Sequence, residues 1–296
     1  MLFKRYKDNP IISPDTSKDH EKECTYNPTA IVHENKVYLV YRAEGEAGIS
    51  TLCLAISDDG YKFERYKNNP VIKPALPEEK QGCEDPRITK IGDTFYLTYT
   101  AYDGMHPERS ENIYTALATS KDLINWKKQG IIVKDIKAAA IFPEKISGKY
   151  FMFIGGKNIR IATSKDLINW KVEKKPILNI RKDKFDDKYV EAGPAPFLYK
   201  DKLVLFFNTA DEQFKFHPSL AILDKNNPRN VLYRADEPLM TPTEDYEING
   251  KVNNVIFGSG LVEFRGTYFY YYGAADKVIA VATVSKEELE KYISGL

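Results

Sequence analysis

The ten residues ATSKDLINWK stand at 118–127 and again, unchanged, at 162–171. Chance does not spell ten residues twice in one chain, so the fold must accommodate repeated supersecondary units. A degenerate third copy, AISDDGYKFER, occupies 55–65. Each copy follows alternating apolar runs, and that register exposes five related segments: KVYLVYRAE (36–44), DTFYLTYTAYD (93–103), KYFMFIGG (149–156), DKLVLFFNTAD (201–211) and GTYFYYYGAAD (266–276). Each is preceded by a shorter apolar run and a tight Asn, Asp or Gly turn, and alternation joined by such turns predicts hairpins. A third strand follows in every unit (STLCLAIS, IYTALATS, NIRIATS, PSLAILD, VIAVATVS). A further echo, YKDNPIIS (6–13), YKNNPVIKP (66–74), EKKPILNI (173–180) and EPLMTP (237–242), supplies fourth-strand candidates.

Five units of about four strands predict an all-β chain, a single five-bladed β-propeller domain over residues 1–296. One echo lies ahead of the first unit, so the N-terminal strand is expected to complete the last blade and leave no free edge. KEELEKYISGL (286–296) reads as a short C-terminal helix. SKDLINW falls in the turn between third and fourth strands, where Asp and Asn bond the local backbone and Leu and Trp pack inward. It is scaffold.

Lys+Arg 43 against Asp+Glu 42 leaves a net charge of +1, without the basic footprint of a nucleic-acid binder. The N-terminus has no apolar core of signal-peptide length, and there is no 18-residue apolar run for a membrane span. A soluble cytoplasmic protein is expected, with reduced thiols at Cys24, Cys53 and Cys83; the pattern leaves a homo-oligomer open. Few Gln and Cys beside abundant Lys and Glu fit a thermophilic source. The histidines (20, 33, 106, 217) show no ligand spacing, so no metal or other cofactor is expected.

Chemistry should sit where the repeats differ, in the segments that enter the innermost strands: TYNPTAI, GCEDPRI, AAAIFPEKI, VEAGPAPF and VNNVIFGSG. Two of them bring carboxylates to equivalent places in different units, Glu84 and Asp85 in the second and Glu191 in the fourth. Asn27 and Tyr26 add an amide and a hydroxyl, and Arg42, Glu44 and Asp276 stand at second-strand ends. Two carboxylates facing each other across a channel suit glycoside hydrolysis, at roughly 6.5–9.5 Å in an inverting enzyme. The plainer alternative makes Asp85 a turn residue before Pro86, paired with Arg87. The long connections 102–112 and 211–219 bring Tyr102, His106, Phe216 and His217 as candidates for an outer sugar subsite.

Through YNPTAI, YRAE, GCEDPRI, FPEKISGKY, EAGPAPF, YEINGKVNNVIF and YYGAAD the chain resembles glycoside hydrolase family 130, from about residue 5 to 285. The resemblance implies a five-bladed propeller that cleaves β-mannosides by phosphorolysis or hydrolysis. It implies that Asp85 is the general acid, acting in the phosphorylases through a mannosyl hydroxyl, and that Asn27, Arg42 and Asp276 hold the mannose, with Glu84, Arg87 and Asn208 nearby. Family phosphorylases bind phosphate with His, Arg and Lys groups in three stretches that here read FMFIGGKN, VEAGPAP and FFNTAD. Glu191 stands in the second and Asn208 in the third, which is similar to the hydrolase branch; a carboxylate there repels phosphate and can activate water. Lys137 and Lys157 remain as candidates for an anion site. The leading expectation is therefore an inverting exo-acting β-mannosidase for β-1,2-linked manno-oligosaccharides, with Asp85 as acid and Glu191 as base. A β-1,2-mannoside phosphorylase, with inorganic phosphate as co-substrate and mannose 1-phosphate as product, is the alternative, and a non-catalytic glycan-binding propeller is the third reading.

Overall fold

The computed structural model describes residues 2–104 and 112–296, so His106 lies outside the described residues. Strand dominates, with two α-helices, Asp245–Ile248 and Lys286–Ser294, among the described residues. No helix there is long and apolar enough to cross a membrane.

The predicted units are present as consecutive antiparallel meanders. The first runs through Cys24–His33, Lys36–Glu44, Ser50–Ser57 and Glu64–Arg65, and the second through Gly82–Ile91, Thr94–Tyr102, Ile113–Ser120 and Lys127–Lys134. A single parallel pairing, Ser50 with Gly82, joins these two into one sheet. The third and fourth units form a sheet each, and the last is Ile256–Phe264, Thr267–Ala274 and Val278–Ser285. Its outer strand is Lys4–Arg5 from the N-terminus, so the first residues of the chain complete the last unit as expected.

Strands buried on both faces explain the apolar richness of the segments. Leu39 and Tyr41 pack toward the last unit beside Phe269 and Tyr271, whereas Val40 packs toward the second beside Leu97 and Tyr99. Among the described residues five such apolar clusters occur, each shared by two successive units, with the last unit packing against the first. The helix Lys286–Ser294 starts at Ser285, whose hydroxyl accepts from the Glu288 N–H at 3.2 Å, and it buries Leu289 and Ile293 in the cluster between the fourth and last units.

The duplicated decapeptide is a turn built twice. The Asp122 carboxylate accepts from the N–H groups of Ile124 (3.0 Å) and Asn125 (2.8 Å), and Trp126 Nε1 donates to Leu123 O at 3.0 Å. Asp166, Ile168, Asn169, Trp170 and Leu167 repeat the pattern. Leu123 and Leu167 sit at φ 66° and 67° with their side chains buried, and the first unit places Gly60 at the matching corner.

The fourth-strand assignment needs correction. The regular outer strands are Glu64–Arg65, Lys171–Val172, Val231–Arg234 and Lys4–Arg5, a few residues before the proline echo, although in the third unit the echo itself adds the short strand Leu178–Asn179. The echo returns to the inner part of the third strand. There Asn69 bonds Leu54 in both directions at 2.8 and 2.9 Å, and Asn9 bonds Val281 at 3.0 and 2.9 Å. An amide side chain offers a donor and an acceptor together, so it stands in for a strand residue.

Candidate active site

Two bulges open the site. In the first unit Tyr26 pairs with Arg42 and Thr29 with Val40, leaving Asn27 and Pro28 opposite one residue; in the second, Glu84 pairs with Thr100 and Arg87 with Thr98, leaving Asp85 and Pro86. Proline donates nothing to a ladder, and a bulge re-aims the residue it holds. Asn27 and Asp85 each sit at φ 47° and meet across the units, Asn27 Nδ2 donating to Asp85 Oδ1 at 2.8 Å. Gly273 makes room for this, because a Cβ there would lie 2.3 Å from Asn27 Oδ1.

Cations surround the acids. Arg42 lies 2.6 Å from Glu84 Oε1 and 3.4 Å from Asp85 Oδ1, with its guanidinium 4.6 Å from the centre of the Tyr26 ring. Lys137 Nζ stands 3.0 Å from Glu191 Oε2 and 3.9 Å from Asp85 Oδ2. Burial by itself would raise the Asp85 pKa, but Arg42, Lys137, Arg87 and the Asn27 bond outweigh it and hold the carboxyl at about 2. Lys137 is held above its ordinary value: burial opposes its charge, but Glu191, Tyr189 and Asp85 outweigh that, and it remains an ammonium.

A cavity of about 280 Å³ lies over these groups, lined by the polar side chains of Asn27, Arg42, Glu84, Asp85, Lys137 and Asp276 and by Tyr189, Phe216, Val252, Val255 and Phe257. Tyr189 and Phe216 meet edge to face with centroids 5.7 Å apart, and Phe216 and Phe257 lie 6.3 Å apart. The lining mixes hydrogen-bonding groups with aromatic and aliphatic ones, the combination that suits a sugar ring with its hydroxyls and C–H faces. Asp276, at φ 48°, has no hydrogen-bond or ion-pair partner among the described residues. Burial pushes its carboxyl up to about 6, with Asp85 adding and Arg42, Lys251 and Lys137 opposing.

Other expected site residues are placed away from this cavity. Glu191 is fully buried: Arg87 holds one oxygen at 2.8 Å, and Lys137 and the Tyr189 hydroxyl hold the other. Arg87, itself buried, also donates to Asp85 O and Ala192 O at 2.8 Å, so it is a brace between the second and fourth units. Asn208 locks the backbone of Gly258 from both sides, at 3.0 and 2.9 Å, and is fully buried outside the cavity lining. Tyr26 donates to Glu44 at 2.9 Å beneath Arg42, and Glu44 is further held by Lys251. His217 is buried beside Asp211, and Tyr102 is half-buried at its strand end. Lys157 lines a second cavity next to the first. Tyr189, Phe257, Val252 and Val255 were missed; Tyr189 was findable, since it stands two residues before Glu191 on one strand and so on the same face. His20, Glu21 and Cys53 bring ligand atoms within 4.8 Å of one another, but Glu21 is already held by Arg65 at 2.8 Å and Tyr41 at 2.9 Å.

Carboxylates, a guanidinium, an ammonium and an amide gathered with aromatic side chains around a small cavity suit a carbohydrate-active enzyme. The family model described as beta-1,4-mannooligosaccharide phosphorylase matches residues 4–294, and the chain belongs to that family, glycoside hydrolase family 130. A beta-1,2-mannobiose phosphorylase of Thermoanaerobacter sp. (strain X514) is 36% identical over 300 residues, covering 97% of this chain and 98% of that one. A 1,2-beta-oligomannan phosphorylase of the same strain is 35% identical over 299 residues, covering 98% and 99%. The solved beta-1,2-mannobiose phosphorylase of Listeria innocua, in complex with beta-1,2-mannobiose, superposes with a TM-score of 0.89 at 25% identity over 100% of both chains. These relatives favour phosphorolysis over the hydrolysis that the sequence pattern put first. The burial of Glu191 removes the pattern's main support, because both its oxygens are engaged by cations and a hydroxyl.

Proposed function

We propose that the chain is a β-1,2-mannoside phosphorylase, cleaving a manno-oligosaccharide from its non-reducing end with inorganic phosphate and releasing mannose 1-phosphate with inversion. The observation that carries this reading is the Lys137 ammonium, 3.0 Å from Glu191 and 3.9 Å from Asp85. An ammonium at the reacting edge of the sugar attracts an anionic nucleophile, and Glu191, the acid beside it, is engaged by Arg87 and the Tyr189 hydroxyl rather than by water. The mannosyl ring occupies the 280 Å³ cavity, its hydroxyls on Asn27, Arg42 and Asp276 and its apolar face against Phe216 and Phe257. Phosphate attacks the anomeric carbon as the bond to the leaving sugar oxygen breaks. The proton that phosphate gives up ends on that oxygen, carried by Asp85 through a mannosyl hydroxyl. Asp85 begins as an ionised group, so it serves as carrier rather than source. Glu191 and Arg87 are positioning residues that fix Lys137 and the Asp85 backbone.

The five units, with their five shared apolar clusters, support one five-bladed propeller as the scaffold. Incubation of β-1,2-mannobiose with and without phosphate tests the activity. The reading expects mannose 1-phosphate and mannose only with phosphate; free mannose alone at equal rates in both would overturn it in favour of hydrolysis.

A further inference from the structure

A buried charged motif recurs from unit to unit. In the second unit Glu79, on the helical turn Pro77–Glu79, is fully buried. Its carboxylate accepts from the Tyr99 hydroxyl at 2.7 Å, from the Lys128 ammonium, and from the N–H groups of Ala75 and Leu76 at 2.7 and 2.9 Å. In the last unit buried Glu247 accepts from the Tyr272 hydroxyl at 2.9 Å, from Arg5 Nε at 2.7 Å and from the Thr243 N–H at 2.9 Å. In the first, buried Glu21 accepts from the Tyr41 hydroxyl and pairs with Arg65. The parts correspond in register: Arg65, Lys128 and Arg5 lie on outer strands, opposite Ala55, Ala118 and Ala282 of the third strands. The fourth unit keeps a buried acid, Asp186, on Arg234, which lies 5.5 Å from the ring of Phe207 in the phenol's place. The third unit has Val172 and Ile154 at the cation and phenol positions, in one apolar cluster. Apolar packing stabilises as well as a buried ion pair does, so the recurring pair calls for another use.

We propose that Glu79, gripped by Lys128 and Tyr99, is a positioning residue for Asp85, and that each such clamp sets the segment its own unit sends into the site. Every one of these acids stands just ahead of site residues: Glu21 before Asn27, Glu79 before Glu84 and Asp85, Asp186 before Tyr189, and Glu247 before Val255 and Phe257. In the second unit the path from clamp to site is stiff. The Gln81 N–H donates to Tyr102 O at 2.9 Å, and its carbonyl accepts from the Ser50 N–H at 3.1 Å. Gly82, at φ 143°, lies so close to Ser50 that a Cβ on it would stand 2.6 Å from the Ser50 Cβ. Glu84 and the bulge at Asp85 follow directly. In the last unit the link is shorter still, because the Val255 N–H donates to Glu247 O at 2.9 Å. A reacting group misplaced by about 1 Å can cost roughly 100-fold in rate. The clamp ahead of Asp85 therefore acts on turnover, and the clamp ahead of Val255 and Phe257 acts on sugar binding. The inference rests on Asp85 as the proton carrier of the proposed reaction and holds whichever nucleophile attacks.

The test is steady-state release of mannose from β-1,2-mannobiose at saturating phosphate, in the wild type, Glu79→Gln, Lys128→Met, Lys128→Arg and Glu247→Gln, with melting temperatures alongside. Glu79→Gln and Lys128→Met should lower kcat roughly 10–100-fold while the KM for mannobiose stays within about threefold. Glu247→Gln should do the reverse, raising that KM roughly 10-fold with kcat within about threefold. Both glutamine variants should lower the melting temperature by a similar few degrees, because each breaks a buried pair. Lys128→Arg should recover most of kcat, since arginine fills this position in the first, fourth and last units. Tyr99→Phe, which copies Phe207 and removes one bond, should show the same loss of kcat in smaller measure, and it carries the test if Glu79→Gln does not fold. A kcat within about twofold of wild type in folded Glu79→Gln overturns the positioning role, and so do equal losses of kcat in Glu79→Gln and Glu247→Gln. Asp85→Asn assayed beside them separates the two readings: full activity there overturns the role of Asp85 itself, whereas an inactive Asp85→Asn beside a fully active Glu79→Gln overturns this inference alone.

Discussion

Asp276→Asn separates stability from binding in one residue. The wild-type carboxyl moves from an ordinary 3.8 to about 6, so the folded chain binds this proton more tightly than the unfolded chain does. That contribution is present in full below 3.8 and is lost as pH rises through 6, which makes ionised Asp276 a cost at neutral and alkaline pH. The displacement corresponds to about 3 kcal/mol once both states are ionised, and about half of it is already felt at pH 5. Asparagine cannot ionise and escapes the cost. Urea unfolding should therefore find Asp276→Asn more stable than wild type by about 3 kcal/mol at pH 8 and by about 1.5 kcal/mol at pH 5. The same variant should bind sugar worse, because an unpartnered carboxylate is the strongest hydroxyl acceptor on that wall. A loss of roughly 10-fold or more in kcat/KM for β-1,2-mannobiose is expected. A variant no more stable than wild type at pH 8, or a gap that does not change with pH, would refute the reasoning.

Two other variants probe the machinery and the frame. Asp85→Asn should lose nearly all turnover of β-1,2-mannobiose while keeping its circular dichroism spectrum, since Asn27 and Arg42 remain to fill the bulge; activity near the wild-type level would remove Asp85 from the chemistry. Leu123→Ala, in the repeated turn, should cost about 2–4 kcal/mol in urea unfolding and leave the KM for mannobiose unchanged, because Leu123 is fully buried on the outer side of its unit.

Local pattern carried much of this fold into the sequence, and side-chain reach carried much of the site out of it. Alternating apolar runs and the SKDLINW turn set the strand register, and the N-terminal echo announced the pairing of Lys4–Arg5 with Val278–Ser285. Asn-Pro and Asp-Pro stand at the bulges of the first two units, where the sequence alone had suggested no more than a turn at Asp85 before Pro86. Residue type could not reveal what each charge would meet. Arg87 and Glu191 are 104 residues apart, and only the packing of the second unit against the fourth turns them into a buried pair. Glu191 therefore looked like a free base when it is an anchor for cations. Asn208 looked like a substituted binding residue, yet it turns to the Gly258 backbone.

The most direct test of the central claim is product analysis of β-1,2-mannobiose cleavage across a phosphate titration. The account predicts that the rate rises from zero with phosphate, saturates, and yields one mannose 1-phosphate for each mannose. A phosphate-independent rate yielding two mannoses per mannobiose would contradict it.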